Sequence, residues 1–153
     1  MNIVTWKYLL RNSLAIIALF LALSLTAPAN EIEFDGYTVH YTVVTTDLLS
    51  PEVARAYGLS RSRNRALVNI VVMETDASGS TRSIPARVQG TGVNLNQQSR
   101  AMRFREVRDA DAYYHLAEIP IRRGEVINFS LQIRTDGIRE PLSVQFRQAF
   151  FAH

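Results

Sequence analysis

The chain contains no cysteine. Disulfide staples, thiolate metal sites and cysteine nucleophiles are therefore excluded by composition. Lysine is almost as scarce: Lys7 is the only one, so every other basic side chain is arginine. Arginine's planar fork recognises carboxylate and phosphate better than lysine's point charge, although the coding bias of a GC-rich genome gives the same composition. Glycine and proline number seven and five in 153 residues, and they form no repeat and no low-complexity tract. The motifs of common chemistries are missing too. There is no G-x-S-x-G nucleophile elbow, no H-E-x-x-H pair and no glycine-rich phosphate loop.

The one strongly apolar run, residues 14–25, is about 12 residues long, against the roughly 20 that a spanning helix needs. Lys7 and Arg11 precede it, and Ala27-Pro28-Ala29 follows it with small residues at the −3 and −1 positions. This layout predicts a cleaved Sec-type signal peptide over residues 1–29, with cleavage after Ala29 and release into the periplasm of a domain covering residues 30–153. An uncleaved anchor is the alternative, disfavoured by length. The 17 basic residues of the whole chain outnumber the 14 acidic ones. Loss of Lys7 and Arg11 leaves one base in excess, so the exported part is nearly neutral and lacks the cationic balance of a nucleic-acid-binding domain. A chain of about 124 residues buries roughly two-thirds of its surface, enough for a core without staples.

Beyond residue 30 the pattern is one of strands. Residues 30–35 read as a polar, frayed lead-in. Tyr37, Val39, Tyr41 and Val43 alternate with Thr38, His40 and Thr42, the period of a half-buried strand. Residues 50–58 predict a short helix, capped by Ser50, opened by Pro51 and closed by Gly58. Residues 66–74 predict a central strand, 76–80 a hairpin turn, and 81–89 a returning strand in which Pro85 argues for an edge or a bulge. Residues 90–99 read as a polar connection rich in glycine and amides. Strands are expected over 102–107, 113–121, 126–134 and 142–151. The fold class is all-β: an immunoglobulin-like antiparallel β-sandwich of about seven strands with one short helix, or alternatively a small closed barrel.

Candidate chemistry is thin. His40, His115 and His153 have no closely spaced partners, and a copper or zinc site would have to combine His40, His115, Met73 and Met102 from different strands. Half-buried histidines and core methionines explain the same residues, so no metal, no cofactor and no catalytic residue is assigned. The acid pairs Glu31/Glu33 and Asp109/Asp111 sit in a lead-in and a turn, where solvation accounts for them. Arg61, Arg63 and Arg65 stand out. If the segment is extended, all three fall on one face and form a cationic stripe for an anion or carboxylate; otherwise they are solvated and pair with Glu52, Asp47 or other local acids. The adjacent Phe150 and Phe151 must point to opposite faces, leaving one of them for solvent or a contact.

The runs Tyr37-Thr38-Val39-His40-Tyr41, 51–58 and 61–69, together with Val93-Asn94-Leu95, Phe104-Arg105-Glu106-Val107 and 144–150, resemble a family of small exported proteins of Gram-negative bacteria, known as domain of unknown function 4426. The resemblance spans the whole exported part. It implies a periplasmic β-sandwich and no particular activity. Its most distinctive stretch is 61–69, to which the resemblance assigns no role; Arg61, Arg63, Arg65 and Asn69 are the candidate binding residues. The expected function is that of a non-enzymatic binding or adaptor module contacting an envelope protein or peptide, by strand addition at a sheet edge or through the arginines. Carriage of a small ligand or metal is the alternative, and a small hydrolase is a weaker one. No nucleic acid is expected as a partner, no membrane span after cleavage, and the oligomeric state is open.

Overall fold

Period-two alternation organises the chain. The computed structural model describes residues 30–151; the expected leader and His153 lie outside the described residues. Ten strands form among those residues: β1 (Asn30–Phe34), β2 (Tyr37–Thr45), β3 (Arg65–Thr75), β4 (Thr81–Ser83), β5 (Arg87–Asn94), β6 (Ser99–Arg103), β7 (Arg105–Asp109), β8 (Ala112–Pro120), β9 (Glu125–Arg134) and β10 (Leu142–Phe150). A 3-10 turn (Thr46–Leu48) and one helix, α1 (Pro51–Ala56), lie between β2 and β3. The larger sheet runs β1-β2-β3-β8-β7, with β4 attached to the end of β3, and the smaller sheet runs β10-β9-β5-β6. Every pairing is antiparallel. The molecule is an all-β sandwich, as the strand pattern implies.

Ten strands replace the expected seven for identifiable reasons. Residues 30–34 are not a frayed lead-in: they pair with β2 from Asn30↔Tyr41 to Phe34↔Tyr37, and Ile32 and Phe34 pack on the core. The turn is Asp35-Gly36, where Gly36 adopts φ +74 at no steric cost. The run 81–89 is split at Pro85. There the chain leaves β3's edge, crosses to the other sheet and begins β5. A residue without an N–H sits where no ladder donor is required. The run 102–107 is likewise split, at Phe104, which separates β6 in one sheet from β7 in the other.

Residues 90–94 are not a connection but the second half of β5. Their glycines are needed for close approach. A Cβ on Gly92 would stand 2.7 Å from Ile119 Cδ1 and 2.9 Å from Ile127 Cγ2; one on Gly90 would overlap Leu131 and stand 2.8 Å from the Ser130 carbonyl oxygen. The core between the sheets is made of Val39, Val68, Ile70 and Val72 on one side and Ile127, Leu131, Ile133 and Val144 on the other, all fully buried. Burial of each such side chain stabilises by about 1.5–3 kcal/mol relative to exposure.

The outer face of the larger sheet carries a second, smaller core. Six residues of helix cannot persist alone. Leu49, Val53, Ala54 and Tyr57 therefore dock α1 on Leu67, Tyr114 and Leu116. Ser50 caps the helix as its position implies, its Oγ accepting from Val53 N at 3.2 Å.

Candidate functional site

The arginine segment does not form a stripe. Only Arg65 is in a strand; Arg63 and Asn64 make a turn, and Arg61 precedes it. The segment is folded back on the 3-10 turn by Thr46. This residue is fully buried, and its hydroxyl accepts from Ser62 N at 3.0 Å and sits 2.7 Å from the Ser60 carbonyl oxygen, to which it donates. Each arginine then finds a local acceptor. Arg61 Nη2 donates to the Asp47 carbonyl oxygen at 2.8 Å, Arg63 Nε lies 3.6 Å from Asp47 Oδ2, and Arg65 Nη1 lies 3.5 Å from Glu118 Oε2. All three arginines remain exposed, so these pairs contribute little to stability. Asn69 lies four residues along β3 from Arg65 and on the same outward face, opposite Thr42 and Leu116. Its Oδ1 is buried without a hydrogen-bond partner among the described residues. The structure thus gathers Arg61 and Arg63 around Asp47 and places Arg65 and Asn69 on the sheet.

The other singled-out residues separate. His40 faces outward on β2, with its Nδ1 3.5 Å from Glu31 Oε2 across the β1–β2 pair. His115 is on the opposite face of the same sheet, almost fully buried. Its Nε2 accepts from Ala86 N at 3.1 Å, and its Nδ1 lies 3.3 Å from the Ile70 carbonyl oxygen. Glu106 Oε2 lies 3.4 Å from the same Nε2. Met102 is in the core between the sheets and Met73 is not. Among the described residues no three His, Asp or Glu side chains converge on a possible metal position. Phe150 is buried and Phe151 is 72% exposed, the division that their adjacency requires.

Sequence reasoning missed two features. One is a buried polar cluster at the end of the sandwich. Glu125 is 7% exposed at its side chain; Arg100 Nη2 and Asn94 Nδ2 each donate to its Oε1 at 2.7 Å, and Arg122 N donates to its Oε2 at 2.9 Å. Burial alone would raise its pKa, but these donors outweigh burial and hold the carboxyl below its ordinary range. The other is the seam between β1 and β10, the outermost strands on one side of the two sheets. β10 pairs with β9 without interruption from Leu142↔Ile133 to Phe150↔Glu125. Its other side has no strand partner among the described residues. Beneath it Phe146 stacks on Tyr41 at 4.1 Å and on Phe129 at 4.8 Å between ring centroids. Ile32, Tyr41, Leu142 and Phe146 line the seam half-buried. The unbroken alternation of 142–150 was the available signal for β10. Which of ten strands becomes an edge depends on pairing across the whole chain.

A two-sheet antiparallel sandwich with one docked helical turn defines the class. The family model of the domain of unknown function DUF4426 matches residues 31–153, and the chain belongs to that family. The crystal structure of a DUF4426 family protein from Pseudomonas aeruginosa PAO1 is similar, with 29% identity, 82% of this chain and 96% of that chain covered, and a TM-score of 0.70. FetP of uropathogenic E. coli strain F11, recombinantly expressed in the periplasm, shares the fold at 11% identity, with coverage of 82% and 95% and a TM-score of 0.60. A copper-bound variant of FetP does so at 12% identity, with coverage of 80% and 95% and a TM-score of 0.59. No curated protein matches the chain.

Proposed function

We propose that this protein is an exported, non-enzymatic binding module that takes up an extended segment of an envelope protein at β10. The observation that carries this reading is the open edge. Nine residues lie in one continuous register with β9, with no proline and no bulge, and the other side of the strand has no strand partner among the described residues; Gln148 Nε2 donates to the Ala149 carbonyl oxygen at 3.0 Å. Natural sheets ordinarily blunt such an edge, and an added strand satisfies it at once, with side-chain specificity supplied by the half-buried aromatic seam. No helix among the described residues is long and apolar enough to cross a membrane, and a sandwich neighbour was produced in the periplasm; both fit an exported module.

The test is photo-cross-linking in cells from a reactive side chain at Gln145, with Ser78 in the β3–β4 turn as control. A discrete adduct from Gln145, absent from Ser78 and retained when Arg61, Arg63 and Arg65 are all changed to alanine, supports uptake at the edge. Loss of the adduct in the arginine variant moves the contact to the 61–65 loop, and no adduct from β10 contradicts the reading. The copper-bound FetP variant motivates a second reading, metal carriage, for which the outward His40–Glu31 pair is the available starting point. Elemental analysis of the protein taken from cells separates the two: stoichiometric copper or zinc favours carriage.

A further inference from the structure

The outer face of the smaller sheet has a composition that folding does not explain. Pairing register sets its side chains in rows across the four strands. One row reads Ser143, Gln132, Gln89, Arg103; the next reads Gln145, Ser130, Thr91, Ala101; and a third places Arg147 beside Asn128. At one end Arg134 and Arg87 stand directly opposite each other. All four arginines of this face are exposed, and none is in an ion pair among the described residues. No acidic residue occupies an outward position on any of the four strands, although the chain has 14 acids. Like charges facing each other across a strand pair destabilise a sheet, and an ordinary soluble face mixes the two signs. The 61–65 arginines show the contrast, since each has an acidic residue or a carbonyl beside it.

We propose that this face is a docking surface for a linear acidic polysaccharide. Arg87, Arg134, Arg103 and Arg147 would engage its carboxylates, and the rows of glutamine, serine and threonine its hydroxyls. A guanidinium binds a carboxylate through two parallel hydrogen bonds, and amide side chains both donate to and accept from hydroxyls. The surface is an open sheet, suited to an extended polymer that runs across it. Its arginines occupy the row at the sheet end and two of the next three rows, a span of about 20 Å at the rise of a strand. The other polyanions fit less well. No aromatic side chain projects from the four strands on this side to stack a base, the platform that single-stranded nucleic acid needs. The apolar side chains on this side are Val93, Val126, Ala101 and Ala149, short groups with no aromatic or long aliphatic chain to enter a bilayer, and the rows in the middle of the face are mainly amide and hydroxyl rather than the apolar centre of a protein–protein interface. This surface shares the outward side chains of β10, Gln145 among them, but not its backbone edge, and it does not depend on strand uptake.

The experiment is calorimetric titration of the protein purified from cells with polygalacturonate fragments, with dextran as the neutral polymer. Binding to the polyuronate and not to dextran is expected, and it should weaken markedly as salt rises from about 20 to about 150 mM. Replacement of Arg87, Arg103, Arg134 and Arg147 by glutamine should weaken it at least tenfold while the melting temperature stays the same or rises, because an opposed like-charge pair is relieved. The pair Gln89→Ala and Gln132→Ala should weaken it severalfold without altering its salt dependence. Arg61→Gln with Arg63→Gln should leave it unchanged. Absence of polyuronate binding at low salt, equal loss in the 61/63 control, equally tight binding of double-stranded DNA, or tighter binding of phosphatidylglycerol vesicles would each overturn the proposal.

Discussion

At the scale of single residues, a few polar groups fix geometry that the apolar core leaves free. Glu125 ties the β8–β9 turn to β5 and β6 through three hydrogen bonds, and Arg100 is 17% exposed beside it. Its replacement by glutamine leaves Arg100 without a counter-charge, so a loss of about 2–3 kcal/mol in denaturant unfolding is expected. Because its folded pKa is depressed, the carboxylate contributes stability above the ordinary range, and that contribution is lost as pH falls through the folded value. The acid limb of the wild-type stability profile should therefore be steeper than that of Glu125→Gln; identical limbs would show that the cluster is neutral to folding. Tyr57 behaves in the opposite sense. Burial first, and then the charge of Asp109, push its phenol from 10 up to about 12, and Tyr114 is raised by the same two causes. The unfolded chain ionises near 10 while the folded one resists, so Tyr57 withdraws stability as pH rises from about 10 towards 12, and Tyr114 acts in the same direction. Ultraviolet titration should show two of the five tyrosines beyond residue 30 lagging the others.

At the scale of elements, the sandwich depends on where the chain changes sheet and where it comes close. Gly92→Ala brings a methyl within 2.7 Å of Ile119, so a cost of about 1–3 kcal/mol from overpacking is expected. Gly90→Ala should cost more, because the Ser130 backbone as well as a side chain must move. Thermal unfolding of the two variants checks both the values and their order. The sequence stated the strands of the core plainly: alternation gave β2, β3, β8, β9 and β10 within a few residues, and Ser50, Pro51 and Gly58 bounded α1. What it concealed was tertiary. The Asp35-Gly36 turn with Ile32 and Phe34 before it already spelt a hairpin, but Glu31 and Glu33 masked β1 as a solvated lead-in. Gly90 and Gly92 looked like linker residues because the side chains that crowd them, Leu131, Ile127 and Ile119, come from strands far along the chain. For the candidate residues, exposure and charge of the 61–65 arginines could be read directly. Their turn could not, since it is imposed by the buried Thr46 hydroxyl, which no local pattern marks.

At the scale of the whole molecule, the surfaces are unlike one another. The larger sheet's outer face is covered in part by α1 and carries Glu31, Glu33 and Glu118; the smaller sheet's outer face carries arginines, amides and hydroxyls; and between them one side of the sandwich ends in the uncovered strand β10. The β10 edge and the arginine-bearing outer face of the smaller sheet are the two surfaces on which the proposed docking roles rest. Uptake of an extended segment at the sheet edge, the central claim, rests on β10 being free in the isolated protein. Amide hydrogen exchange along residues 142–150 tests this most directly. Amides of alternate residues, those pointing away from β9, should exchange about 100-fold faster than their neighbours in the ladder. Uniform protection along the strand would mean that the edge is already covered in the free protein, and would contradict the account.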